Sequence, residues 1–171
     1  MDIEVIKKLI RKYQSGHTDF VRQAEKAKAY YRNETDIMFP PLKEKQEKSE
    51  KPLRNADNRI PFNFHGLLVN QKASYMFAAP PIFDLGNKNA NKKLTQFLGD
   101  KYPKVCKDLC IEASNCTVAW LHVWKDGKGA WKYAVVPAEQ IIPVWTSDLE
   151  KELSGVFRSY QSIDCLLYTS D

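Results

Sequence analysis

No apolar run in this 171-residue sequence approaches the roughly 18 residues that a membrane-spanning helix needs. The best candidate, Met76 to Phe83, is interrupted by Pro80 and Pro81. The opening Met1-Asp2-Ile3-Glu4 places no basic stretch before an apolar one, so no secretion signal is read there. Cysteine is scarce. Cys106, Cys110, Cys116 and Cys165 do not read as a disulfide framework in a chain of this size, and reduced thiols in an intracellular compartment are the expectation. Histidine is scarcer still. With His17, His65 and His122 alone, a Ser/His/Asp relay would have to gather distant residues. The phosphate-cradling G-x-x-x-x-G-K-[ST], the G-x-S-x-G elbow and the H-E-x-x-H zinc helix are all missing. Gly127-Lys128-Gly129 lacks a third glycine and lies between two strand-like runs. These absences point away from an enzyme and away from a bound cofactor.

What is present supports a folded core. Hydrophobic residues make up 43% of the chain and charged residues 27%, outside the range of a disordered polymer. The formal charge is +5, and most of it sits early: residues 1–60 hold 14 basic and 10 acidic side chains, residues 61–171 hold 12 and 11. A bias of this size permits contact with nucleic acid without demonstrating it, because clustered charge is the useful signal.

Periodicity predicts helices first and strands later. Ile3, Ile6, Leu9, Ile10 and Tyr13 recur at helical spacing, and Gly16 is suited to end that helix. Thr18 is the expected cap of a second helix reaching about Arg32, with Phe20, Val21, Ala24, Ala27 and Tyr31 on its apolar side. Residues 33–60 hold the run from Lys43 to Pro52, which has no apolar residue and reads as a mobile charged surface loop rather than an isolated helix. Asn63 is the expected cap of a third helix, Phe64 to Phe77, with Phe64, Leu67, Leu68, Gln71 and Tyr75 sharing one face and Pro80-Pro81 beyond its end. A short strand is expected at Ile82 to Leu85, then helices over Asn89 to Leu98 and Pro103 to Ser114. Alternation from Thr117 to Lys125, turn chemistry at Asp126-Gly127 and a return from Trp131 to Val136 predict a hairpin. Strands at Glu139 to Trp145 and Val156 to Tyr160 complete an α+β fold, with N-terminal helices packed on a small antiparallel sheet. The Phe64–Phe77 helix is expected to pack on the Trp120–Val136 hairpin.

Three sites of chemistry are weighed against plainer roles. Cys106 and Cys110, with Cys116 or His122, could meet a zinc ion, but no second tight C-x₂₋₄-C pair follows, so buried apolar cysteines and no metal are expected. Trp120 and Trp124 share a strand face that could stack bases, but no Lys/Arg stripe runs through it, and a core role is expected. Lys7, Lys8, Arg11, Lys12, Arg22, Lys26 and Lys28 could make the first helices a stand-alone basic nucleic-acid-binding module, although solvated faces are the ordinary reading.

The order of segments carries a resemblance. The early helices and charged stretch are followed by Asn58-Arg59-Ile60-Pro61-Phe62-Asn63-Phe64, then Val69, Lys72, Ala73 and Ser74-Tyr75-Met76, then Ala79-Pro80-Pro81-Ile82-Phe83. An aromatic hairpin, Val136-Pro137-Ala138-Glu139-Gln140-Ile141-Ile142-Pro143-Val144-Trp145, and Val156-Phe157-Arg158-Ser159-Tyr160 close the series. This resembles the N-terminal portion of a tailed-bacteriophage portal protein of the siphovirus type. The family more often carries glycine near Ala78-Ala79 and Tyr-Gly where Asn115-Cys116 stand.

The resemblance implies a structural subunit of a dodecameric homo-oligomeric ring at a capsid vertex of the virion. Double-stranded DNA passes through such a ring during packaging and ejection. Terminase, head-completion and capsid proteins are its partners, host cytoplasm is its place during assembly, and no membrane is involved. Residues 1–160 would form part of the outer wing region. Asn58, Arg59, Asn63, Lys72, Tyr75, Pro80, Pro137, Ile142 and Arg158 would be the motif positions that shape it. Residues 161–171 read as a non-native or truncated tail, since Cys165-Leu166-Leu167-Tyr168-Thr169-Ser170-Asp171 resembles read-through at the end of a fragmentary frame.

Overall fold

The computed structural model describes residues 3–37 and 60–160. Asn58, Arg59, most of the 33–60 loop and the tail from residue 161 therefore lie outside the described residues.

The N-terminal helix α1 is continuous over Ile3–Tyr31, 29 residues long, and not two helices joined at Gly16. One glycine inside a helix costs only about 1 kcal/mol, too little to break a helix held by packing along its length. Thr18 does not cap. Its Oγ1 donates back to the Gln14 carbonyl at 2.9 Å, as hydroxyls inside helices do. The helix ends where Asn33 takes a left-handed φ of 66°.

Helix α2 spans Phe64–Met76 and is capped as expected: Asn63 Oδ1 accepts from the Gly66 amide at 2.8 Å. The stretch Ile82 to Leu85 forms no strand. Instead Asp84 accepts from the Gly86 amide and the Asn91 side chain, both at 2.9 Å, tying the approach to the helix that follows. Helix α3, Lys88–Leu98, is capped by Asn87, and α4, Tyr102–Cys116, has Pro103 in its first turn and ends at Thr117 with φ 64°.

Strands β1 (Trp120–Lys125) and β2 (Trp131–Val136) pair antiparallel, Trp120 opposite Val136 and Lys125 opposite Trp131. Asp126 Oδ1 accepts from the amides of Lys128 and Ala130, which fixes the turn. A short 3₁₀ turn, Ala138–Gln140, leads into β3 (Ile141–Trp145), which pairs with β4 (Leu153–Arg158) across a bulge near Val144. The fold is α+β, but among the described residues its strands form two separate two-stranded sheets rather than one.

Helix α1 is the spine, packing against α4, the 3₁₀ turn, α2 and β3. At its centre Ala24, Cys116 and Ala138 meet, with Phe20, Val118 and Trp120 around them. The buried apolar residues combine small side chains, Ala24, Ala73, Ala138 and three cysteines, with Val69, Tyr133, Val136, Ile141 and Ile142.

Helix α2 departs from expectation in its packing partner. Its main packing is on α4 and α1, not on the hairpin. The side it buries is Gly66, Val69 and Ala73, while Phe64, Leu67, Leu68 and Tyr75 point outward. Small residues permit close approach of helix to helix, so they win the inner contact although the larger side chains also share one face. The hairpin is likewise only half interior. Trp120 packs on the central cluster, whereas Trp124 and Trp131 are exposed, so the expectation of a buried strand face holds only at its Trp120 end.

Candidate assembly surface and a half-buried ion cluster

Two features stand out above the fold: an ion cluster that locks α1 to the C-terminal half, and an apolar helix face that nothing in the described chain covers.

The cluster centres on Lys28, whose ammonium donates to Glu112 at 2.7 Å and to Glu139 at 2.6 Å. All three side chains are largely shielded from solvent. Lys28 lies near the end of α1, Glu112 in the last half of α4, and Glu139 in the 3₁₀ turn. Glu112 Oε1 also accepts from the Ala138 amide at 2.8 Å, so one carboxylate holds both the lysine and the turn. Burial opposes charge on Lys28, but the bonds to Glu112 and Glu139 outweigh it and raise its pKa above 10.5. Burial likewise pushes Glu139 upward, yet the bond from Lys28 prevails and its carboxyl stays below the ordinary 4.5. Beside them, burial and the Glu112 charge push the Cys116 thiol up to about 11.

Glu112, Cys116 and Glu139 bring their ligand atoms within 4.8 Å of one another. Lys28 supplies the positive charge that such a trio would otherwise take from a metal. The zinc candidates from the sequence are not gathered. Cys110 lies 3.8 Å from Met76 Sδ, Cys116 turns to Glu112, and His122 stands on the exposed hairpin beside Trp124. Nor does Lys28 belong to a basic face, being enclosed by its two carboxylates. Lys7, Arg22 and Lys26 are drawn to Glu4, Asp19 and Asp36.

The motif positions divide into groups. Asn63 caps α2 and its Nδ2 donates to the Tyr31 carbonyl at 3.1 Å, joining α2 to the end of α1. Lys72 and Tyr75 are exposed on α2, Tyr75 at 86%. Pro80 lines a shallow groove with Leu94 and Tyr102. Pro137, Ile142 and Arg158 come together at the junction of the 3₁₀ turn and the second hairpin. Pro137 opens the turn, its carbonyl accepting from the Gln140 amide at 3.0 Å, Ile142 is buried, and the Arg158 guanidinium donates to Gln140 Oε1 at 3.1 and 3.2 Å while lying over Tyr160. Sequence reasoning placed Lys28 on a basic face and did not join it to Glu112 and Glu139, which are far away in the chain. It also missed His65, whose Nε2 lies 2.8 Å from Asn115 Oδ1 and so ties α2 to α4. The Glu139 motif was the one available signal.

The outward side of α2 is the second feature. Phe64 is 65% exposed and Leu68 66%, with Leu67 and Tyr75 beside them and only Gln71 polar along the stripe. A helix that is apolar on both sides is normally buried on both sides.

The α+β unit thus buries the smallest residues of α2 and turns its largest outward, leaving an apolar face uncovered among the described residues. Residues 10–170 match the family model described as "Phage portal protein, SPP1 Gp6-like". The portal protein of Clostridium phage phiCD119 is 42% identical over 175 residues, covering 96% of this chain and 37% of that protein. The portal protein of Bacillus phage SPP1 is 25% identical over 104 residues, covering 61% of this chain and 21% of that protein. The chain belongs to the phage portal protein family. It spans little more than a third of the length of the first of these relatives.

Proposed function

We propose that this chain forms part of the wing of a portal ring, a structural subunit of the virion vertex through which double-stranded DNA is packaged and later ejected. The match over residues 10–170 carries this reading. Terminase, head-completion proteins and capsid are the partners it implies, with the ring assembling in host cytoplasm. In this reading the chain acts by packing rather than by chemistry: the Lys28 cluster keeps α1, α4 and the 3₁₀ turn in one body, and the apolar faces meet neighbours. Among the described residues no helix is long and apolar enough to cross a membrane. Residues 1–160 act as the wing portion, and Asn58, Arg59, Asn63, Lys72, Tyr75, Pro80, Pro137, Ile142 and Arg158 act as positions that shape it.

A chimera tests this. The matching segment of the phiCD119 portal protein is replaced by this chain, and the purified product is viewed by electron microscopy while its packaging is followed in a portal-deficient phage. Rings with a central channel and DNA-filled heads are expected. A folded but monomeric chimera with empty heads would contradict the proposal. The alternative of a stand-alone nucleic-acid module predicts duplex binding by the isolated chain that falls steeply with salt.

A further inference from the structure

We propose that the groove between α1, the start of β1 and β3 is a docking site for an acidic segment of a separate protein, which sets an apolar side chain over Gly16 and a carboxylate on Lys12 or Lys8. The site stands on these residues whether or not they belong to a ring.

The groove has a volume of about 390 Å³, within the roughly 300–1,000 Å³ of built ligand pockets. Tyr13, His17 and Phe20 recur at helical spacing on one side of α1 and form one wall. Trp120 is contributed by β1, and Pro143 and Trp145 by β3. Among the described residues no carboxylate, lysine or arginine lines it. Phe20 and Trp120 also rest on the central cluster, so the core holds the walls in place. Aromatic, uncharged hollows of this kind take the anchor side chains of protein interfaces.

Gly16 lies in this wall, and the packing of the chain itself gives no reason for it. A glycine inside a helix is destabilising relative to alanine, yet a β-carbon at Gly16 would meet nothing within 4 Å. No neighbour in the described chain uses the space. Bare backbone beside an open groove allows a partner to approach closely, where a side chain would hold it off.

Charge chooses the occupant. Lys12 and Lys8 precede Gly16 by four and eight residues, so they continue its row along α1. The Lys12 ammonium lies 5.4 Å from the centre of the Tyr13 ring, beside the groove wall. Both lysines are exposed, and among the described residues neither meets a carboxylate, whereas Lys7 takes Glu4. A ligand that fills the groove and reaches Lys8 crosses eight residues of helix, about 12 Å, the span of three or four extended residues. That length and that charge fit a peptide segment with carboxylates beside an apolar anchor.

The test titrates the 171-residue chain with three fluorescein-labelled octapeptides, read by anisotropy. The first is built of Glu and Asp around a central Phe-Leu pair, the second replaces that pair with Ser-Ser, and the third replaces the acids with Lys. The first is expected to bind at least tenfold tighter than either of the others, with an affinity that falls as salt rises. Gly16→Leu is expected to weaken it at least tenfold without lowering the melting temperature. Lys8→Glu with Lys12→Glu is expected to weaken it as much, and decides the matter should Gly16→Leu melt without cooperativity. Equal binding of the three peptides, no binding of the first, or unchanged binding to a folded variant overturns the site. Two further outcomes overturn the choice of a separate protein. Self-association of the unmodified chain that Gly16→Leu abolishes, read by sedimentation velocity, would give the groove to a second copy. Binding to the isolated chain but not to the assembled phiCD119 chimera would give it to a later part of the portal polypeptide.

Discussion

Lys28 and Glu112 stand 84 positions apart in the chain and meet at 2.7 Å, with Glu139 completing the cluster at 2.6 Å from the same ammonium. That contact joins the first helix to the segment that carries the Pro137–Trp145 motif. It ties α1 to both α4 and the 3₁₀ turn through one ammonium.

Replacing Lys28→Met leaves two shielded carboxylates without their cation. Breaking a buried pair costs several kcal/mol, and the residual solvent access of this cluster lowers the figure, so a loss of about 2 kcal/mol is expected. A urea melt reads it as a lower midpoint at unchanged slope.

The same cluster sets the pH limits of stability. Glu139 has a folded pKa below its ordinary 4.5, so its contribution is present above that value and fades as pH falls through the folded one. Lys28 and Cys116 are raised above 10.5 and 9.0, so the folded state holds protons that the unfolded state releases. Their contribution is complete below pH 9 and declines as pH rises through about 11 for Cys116, while that of Lys28 is held up to 10.5 and lost as pH rises through its raised folded value. Urea midpoints followed across pH are expected to drop on both sides, with Glu139→Gln making the acid side shallower and Cys116→Ala the alkaline side.

Local signals were legible in the sequence and long-range ones were not. Asn63 as a cap, Pro103 in a first turn and the Asp126-Gly127 hairpin each depend on a few adjacent residues, and each is found. The break at Gly16 was misread because the cost of one glycine is small beside the packing along α1. The inner side of α2 is not legible in the sequence because the stripe of large residues is the stronger pattern, while Gly66 and Ala73 reveal their role only when α4 lies against them. Lys28, Glu112 and Glu139 carry no spacing that links them. Their relation exists only in the folded chain.

Two glycines on helices should respond oppositely to alanine. A β-carbon at Gly16 would meet nothing within 4 Å, so Gly16→Ala is expected to stabilise by about 0.5–1 kcal/mol if α1 is continuous. At Gly66 it would lie 2.6 Å from the Asn63 side-chain oxygen and nitrogen, displacing the cap. Gly66→Ala is therefore expected to cost about 1 kcal/mol or more, near the effect of Asn63→Ala. Thermal melts of the three variants check the signs.

Thr117 closes α4 in a left-handed conformation, φ 64°, which strains a β-branched residue. Thr117→Gly is expected to raise stability by up to about 1 kcal/mol, read as a higher melting temperature.

The account depends on α2 being turned inside out so that a neighbour can cover it, and the accessibility of Tyr75 tests that most directly. In a Cys165→Ser background, Tyr75→Cys is labelled with a maleimide in the isolated chain and in the assembled phiCD119 chimera. The account predicts rapid labelling of the isolated chain and at least tenfold slower labelling in the ring. Equal rates in the two would contradict it.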